Sequence, residues 1–128
     1  MKNSITFEII GEPASKANAR QKVMVKGRVQ FIKSRKALGY KNTFQRQCPR
    51  LKELITSDVS VEMLIYYASR RPDLDESLIL DCMEGFIYAN DRQVREKHMY
   101  WGLDKKNPRT VIRVSAVSSV VVPDYLLV

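Results

Sequence analysis

The chain has 128 residues, 45% hydrophobic and 28% charged, with 22 Lys and Arg against 14 Asp and Glu, for a formal net charge of +8. That is the balance of a globular protein with room for one ordinary core, so one domain over residues 1–128 is expected. The longest apolar tract, residues 120–128, is broken by Pro123 and Asp124 and falls short of the roughly 20 apolar residues that span a bilayer, so no membrane association is expected.

Ile5, Phe7 and Ile9 alternate with Thr6, Glu8 and Ile10, a half-buried first strand ended by Gly11-Glu12-Pro13. Residues 14–21 read as a polar loop. Val23-Met24-Val25 and Val29-Gln30-Phe31-Ile32 flank Lys26-Gly27-Arg28, the pattern of a β-hairpin. Ser34 is a suitable N-cap for a basic helix that ends near Pro49 or restarts there through Leu51 and Leu54. Val59 to Ala68 alternates as a strong strand and leads into Arg70-Arg71-Pro72-Asp73-Leu74-Asp75. Ser77 to Glu84 suits a short helix with Gly85 as its C-cap. Phe86-Ile87-Tyr88 reads as a short extended piece before a turn at Asn90-Asp91. Val94–Trp101 and Thr110–Val117 are the last strands, separated by a turn at Lys105-Lys106-Asn107-Pro108. The order implies an α+β domain: a mixed β-sheet with a β-hairpin and two or three helices.

Cys48 and Cys82 form no CxxC pair and His98 is the one histidine, too few ligands at the wrong spacings for structural zinc. Met1-Lys2-Asn3-Ser4 runs straight into a strand pattern, so no export signal is expected and two separate thiols suggest a reducing cytoplasm.

Charge is distributed unevenly. Residues 14–53 carry twelve Lys and Arg and one acid, Glu53. Such a stretch is either a solvated face or a surface for a polyanion. An anionic membrane fits poorly, because no aromatic-rich apolar face opposes the charges. Conversely, Asp73, Asp75, Glu76, Asp81, Glu84 and Asp91 fall in a window, residues 73–91, that holds no Lys or Arg. Crowded carboxylates repel one another and are relieved by a cation. Asp73 and Asp75, two apart at a strand end, would share a face with Cα atoms roughly 6–7 Å apart. Asp91 follows where the chain has had room to return, and Asp81 on the short helix could face the same pocket. Mg²⁺ takes about six oxygen ligands and keeps several waters, so two or three carboxylates suffice. A metal so held can activate water and relieve charge in phosphodiester hydrolysis. The competing reading is an Asp-rich solvated turn before a helix whose N-terminal acids favour its dipole.

Three motifs resemble the RusA-like Holliday junction resolvase (endodeoxyribonuclease) family: Phe7-x-x-x-Gly11-Glu12-Pro13-x-x-Lys16-x-Asn18-x-Arg20, then Asp73-Leu74-Asp75, then Asp81-Cys82-Met83-Glu84-Gly85 running to Asn90-Asp91-Arg92-Gln93-Val94. The resemblance implies a Mg²⁺-dependent, structure-selective DNA endonuclease, with Mn²⁺ as a substitute, that resolves branched DNA by paired nicking. It implies Asp73, Asp75 and Asp91 as catalytic metal ligands; beside them the residues themselves offer Asp81 as an additional acid and Glu76 as either an extra ligand or a helix-start acid. Lys16, Arg20, Lys22, Arg70, Arg71 and Arg92 are the candidate DNA-binding residues. A symmetric homodimer is expected because a domain this small faces two symmetry-related strands to cut, with the apolar tail, residues 120–128, packing across the interface or over its own core; the likeness suggests a phage or other mobile-element source, and so the host's cytoplasm. The family's Lys after Asp-x-Asp is absent here, the stretch from Asp75 to Asp81 is shorter, and Asn18 and Asn90 replace an Arg and an Asp. Lys16, Arg70, Arg71 or Arg92 are candidates to supply the missing cation. The departures keep open a second function, a catalytically weakened or inactive nucleic-acid-binding protein of the same fold. A basic interaction module is a third. His98 reads as structural rather than as a general base, and Tyr40, Phe44, Tyr66, Tyr67, Tyr100 and Trp101 as core rather than as base-stacking platforms.

Overall fold

The computed structural model describes residues 4–14 and 20–127. Its centre is a four-stranded mixed sheet built from β1 (Ser4–Ile10), β4 (Val59–Tyr67), β5 (Val94–Leu103) and β6 (Arg109–Ala116), in the order β1-β6-β4-β5. β6 runs antiparallel to both its neighbours, whereas β4 and β5 are parallel. A parallel pair cannot be closed by a tight turn and needs a crossover; here it contains α2 (Ser77–Met83) and a 3₁₀ turn, Asp91–Gln93. The crossover therefore leaves the sheet at the end of β4 and runs across its face to the start of β5 at the opposite end, carrying the acidic window with it.

The alternation read in β4 sorts its side chains as expected. Val59, Val61, Met63, Ile65 and Tyr67 are buried, while the intervening residues are partly or fully exposed. Ile9, Ile112 and Val114 join them from the neighbouring strands. Over this face pack α1 (Arg35–Gln47), through Ala37, Tyr40 and Phe44, and α2, through Leu78, Ile79, Leu80, Cys82 and Met83. Burying a large aliphatic or aromatic side chain stabilises by roughly 1.5–3 kcal/mol before conformational entropy is counted, and this layer holds the buried hydrophobic cluster of the fold.

Ser34 is the N-cap of α1: its Oγ accepts from the Ala37 amide at 3.1 Å. The helix stops at Cys48 and does not restart after Pro49, where residues 49–58 are largely irregular. β2 (Arg20–Val25) and β3 (Arg28–Lys33) form a separate two-stranded hairpin. Lys26 and Gly27 turn it with φ of 49° and 76°, the doubly positive φ of a two-residue hairpin turn. The strand begins at Arg20, inside the stretch read as loop. Beyond β6, Val121, Tyr125, Leu126 and Leu127 are exposed. Among the described residues no helix is long and apolar enough to cross a membrane.

Two local expectations need correction. β4 ends at Tyr67, and Asp73 and Asp75 lie in an irregular segment before α2, not at a strand end; the spacing argument from extended backbone does not apply to them. Gly85-Phe86-Ile87 is a turn following α2, and only Tyr88 is paired, bridged to Glu84 across the turn and to Ile55.

Candidate active site

The first motif builds one wall. Gly11 has φ of 120°, in the region that favours glycine, and its amide donates to the Pro108 carbonyl at 2.9 Å. The Glu12 carboxylate accepts from the Ala68 amide at 2.7 Å, tying this turn to the exit of β4. Pro13 and Ala14 are buried as a result. Lys16 and Asn18 lie outside the described residues.

The second motif is held from below. The Tyr67 hydroxyl, at the end of β4, accepts from the Asp75 amide at 3.2 Å. Burial raises the Tyr67 pKa, so the phenol stays neutral and can serve this contact. Asp75 Oδ1 accepts from both the Ser77 amide, at 3.0 Å, and the Ser77 hydroxyl, at 2.7 Å, which fixes its carboxylate at the mouth of α2.

The third motif is fixed by one amide side chain. Gln93 Oε1 accepts from the Ala89 and Asn90 amides at 3.0 and 2.8 Å, and its Nε2 donates to the Ile55 and Ser57 carbonyls at 2.7 and 2.8 Å. Asn90 Oδ1 accepts from the Arg92 amide at 2.9 Å, completing a capping box with Gln93. The Asn90 substitution is thereby explained: an N-cap needs a short side-chain acceptor, which Asn supplies as well as Asp. Glu84 adds a bond to the Asp91 amide at 2.7 Å.

Together these elements enclose a cleft of about 480 Å³ lined by Ala14, Arg20, Lys33, Asp75, Ser77, Leu78, Asp81 and Asp91. The three motifs are far apart in sequence and meet here. A family model described as Endodeoxyribonuclease RusA matches residues 11–115, a span containing the second and third motifs and the first from Gly11 onward.

The chain belongs to the RusA endodeoxyribonuclease family. Among curated proteins no relative matches. The family's activity, cleavage within a DNA chain, accords with a cleft that combines acidic side chains with cations.

Of the carboxylates singled out in the sequence, Asp75, Asp81 and Asp91 line the RusA cleft. Asp73 is exposed in the segment leading to it and is not part of the lining. Glu76 turns elsewhere, pairing with Lys97 on β5 at 2.7 Å and bracing the start of α2. Among the described residues no three ligating side chains stand close enough to form a ready-made metal site. In kind, however, the donors fit a hard divalent cation: carboxylate oxygens on one cleft, without thiol or imidazole.

Of the cations, Arg20 lines the cleft and Lys22 is exposed on β2. Arg71 and Arg92 are exposed outside the lining, and Arg70 lies over the Trp101 ring at 5.6 Å. The residue that sequence reasoning missed as a site residue is Lys33. Its Nζ donates to Asp81 Oδ2 at 2.6 Å inside the cleft. The available signal was the alternation of the hairpin, which puts Lys33 directly opposite Arg20. His98 lies exposed on β5, bonded to Glu96 at 2.9 Å, away from the lining.

Proposed function

We propose that this protein is a divalent-metal-dependent, structure-selective endonuclease that resolves branched DNA such as four-way junctions by paired nicking. The observation that carries this reading is the convergence of Asp75, Asp81 and Asp91 with Arg20 and Lys33 on one cleft in a chain of the RusA family. Asp75 and Asp91, with Asp73 from the adjoining segment, are the ligands for Mg²⁺, or Mn²⁺ in its place; Asp81 is an additional acid. A bound divalent cation supplies Lewis-acid stabilisation of the phosphoryl group and an acidified water.

The protein's own groups do the rest. Arg20 and Lys33 bring the phosphodiester backbone against a set of carboxylates that would otherwise repel it. Ser77 and the Asp75 amide contact to Tyr67 hold Asp75 in place, and the Gln93 clamp does the same for Asp91. Preorganised charge of this kind stabilises a transition state without reorganisation during reaction. Lys16, Lys22, Arg70, Arg71 and Arg92 extend the phosphate-binding surface, which reads backbone shape rather than base sequence. One domain carries both chemistry and binding, and Cys48 and Cys82, both buried and free, suit a cytoplasmic setting.

Two symmetry-related strands must be cut, so the working unit is a C₂ homodimer, the commonest closed assembly. The exposed apolar side chains of Val121, Tyr125, Leu126 and Leu127 favour such a contact. A cruciform plasmid distinguishes the outcomes: linear product formed without accumulated nicked circles is expected. Nicked circles that accumulate to completion would leave a monomeric nickase, and an uncut plasmid would favour the non-catalytic binding protein.

A further inference from the structure

Among the described residues the β2–β3 hairpin has no extensive packing partner: each strand makes its main contacts with the other. An isolated two-stranded hairpin is marginally stable in water, so a bound partner would stabilise this one. Its two faces follow from the register. Arg20 faces Lys33, Lys22 faces Phe31 and Met24 faces Val29, and residues two apart, like directly paired residues, share a face. The base of that face, Arg20 and Lys33, lines the acidic cleft. Further along the same face, Phe31 is 64% exposed, Met24 66% and Val29 48%. The alternating face thus runs from cations at the cleft, through Lys22 and Phe31, to an apolar tip.

We propose that this face of the hairpin is a binding site for an unpaired base of branched DNA, with Phe31 as the stacking platform and Arg20, Lys22 and Lys33 on the adjoining phosphates. It rests on the reading of the cleft as a DNA site and adds a second recognition element to it. Charge selects the occupant: residues 20–33 contain Arg20, Lys22, Lys26, Arg28 and Lys33 and no acid. A second copy of the same hairpin would bring like charges together, whereas a DNA strand supplies phosphates for the cations and a π-face for the ring. At a branch point some bases lose a stacking neighbour, and an exposed aromatic side chain next to the phosphate grip can replace it.

The test uses the full-length protein in chelator, so that binding is read without cutting. Probes are a single-stranded oligonucleotide, the same sequence as duplex, and a four-way junction carrying 2-aminopurine beside the branch. Phe31→Leu keeps an apolar side chain but removes the ring, and Phe31→Trp restores one. Phe31→Leu is expected to weaken single-strand and junction binding by about fivefold to a hundredfold, to leave duplex binding unchanged and to abolish 2-aminopurine quenching. Phe31→Trp should restore both. Equal losses on all three probes, or none, would overturn the proposal. So would unchanged DNA affinity with a shift in oligomeric state by light scattering, which would assign the face to a second copy. Stacking by a protein that never cuts would sink the nuclease reading and keep this one; cutting with Phe31→Leu indistinguishable on every probe would do the reverse.

Discussion

Lys33 Nζ and Asp81 Oδ2 meet at 2.6 Å across 48 residues of chain, joining the basic hairpin to the acidic helix. The side chains are 32% and 38% exposed, so solvent screens the pair and its contribution to stability is at most about 1 kcal/mol. Its consequence is chemical. The acidic window contributes no base of its own, and the lysine beside its carboxylates comes from β3.

Lys33→Ala should therefore separate stability from activity. The melting temperature is expected to fall by only a few degrees, in line with about 1 kcal/mol or less. Junction cleavage should drop at least about tenfold, or roughly 1.4 kcal/mol of transition-state stabilisation, with Lys33→Arg recovering part of it. Cleavage at the wild-type rate by Lys33→Ala would leave the ion pair as a surface contact only.

Gln93 uses both acceptor and donor sides of its amide to hold the turn bearing Asp91. Gln93→Leu preserves bulk but strands two carbonyls and two amides, each worth about 1 kcal/mol when lost. A stability loss of about 2–4 kcal/mol is expected by denaturant titration, together with slower cleavage. Stability within about 0.5 kcal/mol of wild type would show that the clamp is dispensable.

The strand pattern of β4, the Ser34 cap and the hairpin were legible in the sequence because each rests on a local rule: period two, a side-chain acceptor, a glycine turn. The site was legible in part. Asp75, Asp81 and Asp91 line one cleft although they are spread along the crossover from the end of β4 to the start of β5, and the charge pattern pointed to them. The placement of Asp73 and Asp75 at a strand end went astray because the alternation of β4 says nothing about where pairing stops; its neighbours β5 and β6 decide that. Lys33 escaped notice as a site residue because nothing within the hairpin specifies which distant element its face will meet. Helix and sheet periods are properties of a segment, whereas a cleft is a property of the packing.

Binding should depend steeply on salt. Each phosphate neutralised contributes roughly −0.9 to the slope of log K against log salt on duplex DNA. Arg20→Ala combined with Lys22→Ala is expected to make the slope shallower by about 2, read by fluorescence anisotropy in chelator. An unchanged slope and affinity would identify this surface as a solvated face.

The turn between β5 and β6 gives a pH signature. Arg109, with the Asn107 and Lys106 amides, lowers the pKa of Asp104. A depressed carboxylate stabilises the fold above its unfolded value and loses that contribution as pH falls through its lowered folded value. Asp104→Asn should melt earlier than wild type at pH 7, and the gap should close below about pH 4. A gap independent of pH would assign the effect to something other than the charge.

Whether the carboxylates of this cleft cut DNA is decided by incubating a synthetic four-way junction with the wild-type protein and with Asp75→Asn. Wild type should introduce paired nicks with Mg²⁺ and none with chelator. Asp75→Asn, which keeps the side chain's shape and removes one negative oxygen, should bind the junction at least as tightly and cut at least about a hundredfold more slowly, a loss of roughly 2.7 kcal/mol. Full cleavage by Asp75→Asn, or cleavage that persists in chelator, would rule out metal-dependent cutting by these carboxylates.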